Sequence, residues 1–212
     1  MKIPTEFNIY LRQLDLIGHQ NLLAKIINFS WFKFFKFYVL KKINFIRPIN
    51  KRMYKDLIDL KYPVDNIVKI PNGINSKEFL NYGKIKHPEI RFGFVGRLTE
   101  IKNLIYLLDV FKSYFSKYPE DMLYIYGRGP EEKNIIEFIR RNKLTNNILL
   151  MGFEEDKKKI YPNIDVLLNS SFGEGISNVI LEAMCTETFV IASNVGGNRE
   201  LIKHKITGLL FK

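Results

Sequence analysis

Glu174 and Glu182 stand with seven residues between them in the stretch Ser170-Ser171-Phe172-Gly173-Glu174-Gly175-Ile176-Ser177-Asn178-Val179-Ile180-Leu181-Glu182. An ionised carboxylate accepts at both oxygens, so one of the pair can bind sugar hydroxyls while the other takes both hydroxyls of a ribose diol. Gly173 and Gly175 flank Glu174 and leave its backbone open to a ligand. Ile176, Ser177 and Asn178 then open a helix, whose first N–H groups lack intrahelical partners and suit a phosphate. Sugar, ribose and phosphate together describe a nucleotide sugar. The spacing alone also arises from a solvated helix face beside a loop charge, so the surrounding elements decide its meaning.

The run Ile164-Asp165-Val166-Leu167-Leu168 is apolar and β-branched enough for a short buried strand of a parallel sheet. With Ser177 or Asn178 capping the next helix, Glu174 lies past the carboxyl end of a strand, where open α/β sheets bind ligands. Glu182 falls one turn beyond Asn178 on the same helix face. From residue 66 onward strands at 66–70, 90–96, 122–126, 147–152, 164–169, 188–193 and 206–211 alternate with helices at 102–117, 131–143, 177–186 and 197–203. In the helix near 104, Leu104, Leu107, Leu108, Phe111 and Phe115 recur at helical spacing and leave Lys112, Ser113 and Lys117 outside. This alternation predicts an α/β fold, a Rossmann-like doubly wound parallel sheet.

Three further motifs fall at strand ends. In Phe94-Val95-Gly96-Arg97-Leu98, Gly96 permits a tight turn, and Arg97 with Lys102 offers a diphosphate a bidentate fork and a point charge. Surface charge is the plain alternative. Tyr126-Gly127-Arg128-Gly129-Pro130 is a turn with no side chains to block backbone approach at Gly127 and Gly129, though it falls short of the dinucleotide fingerprint. Ile70-Pro71-Asn72-Gly73 reads as a sharp strand exit in which Asn-Gly takes positive φ.

Residues 162–211, with the paired Glu, the Ala183-Met184 helix and the Gly196-Gly197-Asn198-Arg199-Glu200 turn, resemble the donor-sugar half of the retaining GT-B glycosyltransferases of family 4. The resemblance implies that Arg97 and Lys102 grip the donor diphosphate, that Glu174 orients the sugar, and that Glu182 holds the ribose. It implies that Gly96, Gly127, Gly129, Gly175, Ile176, Ser177 and Asn178 line the donor pocket. Retention of anomeric configuration, no metal and no cofactor follow from the same likeness. Pro71-Asn72-Gly73 becomes the crossover between domains. Residues 1–75 are then the remnant of an acceptor-binding domain, a partial second Rossmann-like domain, and 76–212 the donor domain without its last helices. On that alignment the chain begins at a mid-domain strand, Phe7–Leu11, followed by Arg12-Gln13-Leu14-Asp15 where relatives place a catalytic His or another polar residue.

Departures from the family pattern are local. Ile176-Ser177 replaces a favoured Phe-Pro, and Glu187 and Phe189 replace a Gly and a Pro after the Ala-Met helix. Losing Gly at a helix end costs up to about 1 kcal/mol. His19, His87 and His204 read as ordinary polar positions.

At 212 residues the chain can bury one good core, or one domain plus part of another. Its lone Cys185 excludes an intramolecular disulfide and fits a reducing, cytoplasmic setting. Met1–Glu6 lacks the apolar stretch of a signal peptide. The net charge of +11 calls for anionic partners: nucleic acid, anionic lipid or a sugar-nucleotide diphosphate. No zinc-finger spacing, RNP-like motif or recognition helix accompanies the basic residues, which ranks nucleic acid last. Across residues 25–42, Trp31, Phe32, Phe34, Phe35, Phe37 and Tyr38 mix with Lys33, Lys36, Lys41 and Lys42. The lysines speak against a membrane-spanning helix. A basic aromatic helix of this kind lies in an anionic membrane interface, or buries its aromatics in an acceptor-domain core.

The expected activity is hexosyl transfer from a nucleotide sugar to a saccharide or lipid-linked acceptor, on the cytoplasmic side of a membrane. It belongs to cell-surface polysaccharide, lipopolysaccharide or glycolipid synthesis. Two alternatives stand beside it. One is a nucleotide-sugar-binding half-enzyme or inactive fragment that needs a partner chain for the acceptor domain. The other is a basic membrane- or nucleic-acid-binding protein with salt-sensitive association.

Overall fold

The computed structural model describes residues 44–79 and 83–212. The expected strand Phe7–Leu11, His19 and the basic aromatic segment 25–42 lie outside the described residues. The chain divides after Pro71 into two compact units.

In the first unit, helix α1 spans Lys51–Asp59, and the Asn50 side chain accepts from the Met53 N–H at 2.8 Å. That bond satisfies one of the orphan donors of the first turn. Ile46, Leu57 and Tyr62 form a small core with Ile67 packed against it. The strand expected over 66–70 is absent. A single parallel bridge pairs Ile46 with Ile67, and Val68 and Ile70 are exposed. A β-branched run without a sheet to pack on forms no ladder.

The second unit is built on six strands: β1 Arg91–Val95, β2 Met122–Tyr126, β3 Ile148–Gly152, β4 Val166–Asn169, β5 Phe189–Ser193 and β6 Leu209–Phe211. All pair in parallel, in the order β3-β2-β1-β4-β5-β6. The chain therefore winds outward from β1 and reverses between β1 and β4, the doubly wound order of a Rossmann-like sheet. The connecting helices are α2 Leu104–Phe115, α3 Glu132–Arg141, α4 Asn178–Cys185 and α5 Asn198–Leu201. All four expected helices are present, each starting one or two residues later than its pattern suggested.

Neighbouring Leu167 and Leu168 show how the sheet is covered. The pleat sends them to opposite faces, and they join different cores. Leu168 packs with Phe92, Phe94, Leu123 and Ile125 beneath α2 and α3. Leu167 packs with Val190, Ala192, Tyr161 and Ile164 beneath Ile180 and Ala183 of α4. The five apolar positions expected to face inward on α2 are the five it buries, each contributing about 1.5–3 kcal/mol.

Asn72 and Gly73 do not turn as expected: neither takes positive φ. The chain instead runs on to Asn75, whose side chain accepts from Lys77 N–H at the 3-10 turn Ser76–Glu78. The conformational freedom of Asn-Gly is unused on this path. Among the described residues, no helix is long and apolar enough to cross a membrane.

Candidate active site

The loops after β1 and β4 leave adjacent strands at the reversal point, and hydrogen bonds stitch them together. Ser170 Oγ donates to the Lys102 carbonyl at 2.8 Å, and the Phe172 N–H donates to the Ile101 carbonyl at 2.9 Å. Lys102 closes the 3-10 turn Glu100–Lys102, and Asn103 enters α2 in the left-handed region with φ 51°. This path carries the Lys102 ammonium to Glu174 Oε1, with which it forms an ion pair. Ser171 Oγ donates to the same oxygen at 2.8 Å and Asn169 Nδ2 at 3.4 Å. Glu174 is 13% exposed, so the pair interacts more strongly than an ion pair in bulk water would. Its Oε2 accepts no hydrogen bond among the described residues.

Glu182, on α4, is held the same way by different partners. Its Oε2 accepts from the Tyr161 hydroxyl at 2.6 Å and has Lys157 Nζ 3.5 Å away. Oε1 accepts no hydrogen bond among the described residues. Burial first, and the adjacent Glu182 second, push the Tyr161 phenol pKa up. Each carboxylate is thus anchored through one oxygen and presents the other.

Lys102 and Glu174 are brought into direct contact, whereas among the described residues Glu182 shares no partner with Glu174. Arg97, just past Gly96, is exposed and makes no ion pair among the described residues. Of the two cations expected to be free for a diphosphate, Lys102 is therefore already paired with an acid. Ser177 occupies the N-cap position of α4 but makes no side-chain cap bond. It is buried together with Ile176, while Asn178 opens the helix exposed. The start of α4 keeps its backbone donors clear of that side chain.

The glycines answer to protein backbone first. A Cβ on Gly127 would stand 1.8 Å from the Gly96 carbonyl oxygen, and one on Gly129 would stand 2.2 Å from that of Leu98. The β1 and β2 loops are zipped there by Gly96 N–H to the Tyr126 carbonyl and Leu98 N–H to the Arg128 carbonyl, at 3.0 and 2.9 Å. Likewise a Cβ on Gly197 would lie 1.4 Å from the Gly175 oxygen, and the Gly197 N–H donates to the Glu174 carbonyl at 3.0 Å. The loop after β5 thus buttresses the loop that carries Glu174.

Four residues of this site were given no role from the sequence. Tyr161 sits between Ile160 and Pro162 just after the lysines, and Lys157 is one of three consecutive lysines. Asn169 and fully buried Asn198 are linked by Asn198 Nδ2 donating to Asn169 Oδ1 at 3.3 Å. A polar Asn169 ending the apolar β4 was the one visible hint. Among the described residues, no group of three or more His, Cys, Asp or Glu could hold a metal ion.

Known proteins are similar to this chain in sequence and fold. An uncharacterized glycosyltransferase of Methanocaldococcus jannaschii is 26% identical over 208 residues, covering 93% of this chain and 50% of the relative. The UDP-Gal:alpha-D-GlcNAc-diphosphoundecaprenol alpha-1,3-galactosyltransferase of Escherichia coli is 31% identical over 157 residues, covering 68% of this chain and 40% of that protein. The chain thus spans about half the length, or less, of these relatives. The pneumococcal O-GlcNAc transferase GtfA, solved with UDP and GlcNAc, superimposes with a TM-score of 0.73 at 26% identity, over 84% of this chain and 35% of that one. The fold is that of the GT-B glycosyltransferases. Residues 89–212, which hold the whole sheet and both glutamates, match the family model of the glycosyl transferases group 1, and the chain belongs to that family.

Proposed function

We propose that this chain carries the donor site of a retaining, family 4 hexosyltransferase that uses a nucleotide sugar. The observation that carries the reading is the Lys102–Glu174 pair, set at the reversal of the sheet beside the open start of α4. Arg97 meets the diphosphate. Lys102 turns to it from Glu174 as charge builds on the leaving group. Glu174 Oε2 orients the sugar hydroxyls, Glu182 takes the ribose diol, and N–H groups at Gly175–Ser177 assist. No metal or cofactor enters the proposal, and the two acids do not act as the acid–base pair of a glycosidase. The acceptor is a saccharide or a lipid-linked saccharide, in cell-surface polysaccharide or glycolipid synthesis; the diphosphoundecaprenol substrate in the name of the Escherichia coli relative supports the lipid-linked form. Residues 1–75 belong to the acceptor side.

Isothermal calorimetry tests the core of the reading. A nucleoside diphosphate binds, and Glu182→Ala weakens it by about tenfold or more, as expected for losing hydrogen bonds to a charged group. Equal binding by the variant refutes the role of Glu182.

A further inference from the structure

Tyr161 is fully buried in the 3-10 turn Tyr161–Asn163 that leads toward β4. Its ring meets Phe79 edge-on with centroids 6.2 Å apart. Its backbone is held separately, because Lys84 Nζ donates to the carbonyls of Tyr161 and Ile164 at 2.8 and 2.7 Å. The tyrosine whose hydroxyl donates to Glu182 Oε2 at 2.6 Å is therefore held at its ring and at its backbone, and the Val179 carbonyl, 3.4 Å from the hydroxyl, is the more distant acceptor. A glutamate on a helix face otherwise samples several side-chain rotamers. Fixing one of its oxygens with an immobile donor fixes the direction of the other. Lys157, at 3.5 Å with its side chain 33% exposed, is the looser partner.

We infer that Tyr161 is a positioning residue that aims the free oxygen of Glu182 at a vicinal diol and so makes the site select ribonucleotides over 2′-deoxyribonucleotides. The inference rests on the assignment of Glu182 to the ribose. A carboxylate held in one orientation pairs with two adjacent hydroxyls. Offered only one, it keeps an unpaired acceptor that it cannot swing toward water, and sites built this way reject the analogue lacking the hydroxyl. A carboxylate free to turn loses much of that discrimination.

The test measures binding of the uridine, guanosine and adenosine diphosphates and their 2′-deoxy forms by calorimetry, using the base that binds best. The unaltered chain prefers the ribo form by about tenfold or more. Tyr161→Phe keeps the ring and its packing, and it narrows the preference to about threefold or less, with the loss falling on the ribo form. Site-specific 3-fluorotyrosine at 161, a stronger donor of nearly the same shape, widens the preference. If Tyr161→Phe weakens both forms equally or lowers only the melting temperature, the hydroxyl is merely structural and the inference fails. An unchanged preference with fluorotyrosine counts against it in the same way. Glu182→Ala separates the two claims. Loss of preference in Glu182→Ala but not in Tyr161→Phe overturns the role of Tyr161 alone. Preference retained in Glu182→Ala overturns the ribose assignment itself, and binding of none of the three diphosphates overturns both.

Discussion

Glu174 and Glu182 owe their orientation to donors from distant parts of the chain: a lysine drawn across from a neighbouring loop, and a buried phenol. Lys84 supports the second of these from behind. Burial lowers its pKa to about 8, with Asp165 and then Glu187 pulling the other way. Between pH 8 and its ordinary value of 10.5, the unfolded chain holds the proton and the folded chain does not. Its contribution to stability therefore rises with pH across that window and is missing below it. In denaturant unfolding, the unaltered chain should gain on Lys84→Met between about pH 8 and 10; parallel curves would contradict this. The two glutamates were legible in the sequence because glycines and a helix start mark them out. Tyr161 and Lys84 were not. Their roles come from where distant segments meet, and nothing local distinguishes one lysine among 33 basic residues or one tyrosine among 11.

Helix α4 ends at Cys185, and two residues on, Glu187 adopts φ 57°, in the left-handed region that favours Gly. The Thr188 N–H still reaches the Ala183 carbonyl at 2.9 Å, so the cap is built without the residue that would build it easily. Left-handed backbone is costly for a residue with a Cβ. Glu187→Gly is expected to stabilise the fold by a few tenths to about 1 kcal/mol, partly offset by losing the attraction of Glu187 for Lys84. Thermal melts of the two proteins check the sign, and a lower melting temperature for the variant would show that strain is not what governs this helix end. The periodicity of α2 and the apolar β4 could be read directly, since each is decided by its own side chains. The run at 66–70 could not, because a strand also needs a neighbour to pair with, and the sequence does not say whether one is there.

A net charge of +11 belongs to the molecule rather than to its site, and it bears on whether residues 25–42 meet an anionic membrane, one of the two expectations drawn from their sequence. Co-sedimentation with anionic vesicles should occur at low salt and fade toward about 0.5 M, where screening shortens to a few ångströms. No sedimentation at low salt removes the membrane from the picture. The sheet order carries another consequence. Lys102 and Glu174 are 72 positions apart and sit on opposite arms of the winding, one arm growing from β1 toward β3 and the other from β4 toward β6. Neither arm alone owns the ion pair. A half-synthesised polypeptide offers an acid and a base that have never met, so an intact ion pair also certifies that the two arms have closed on each other.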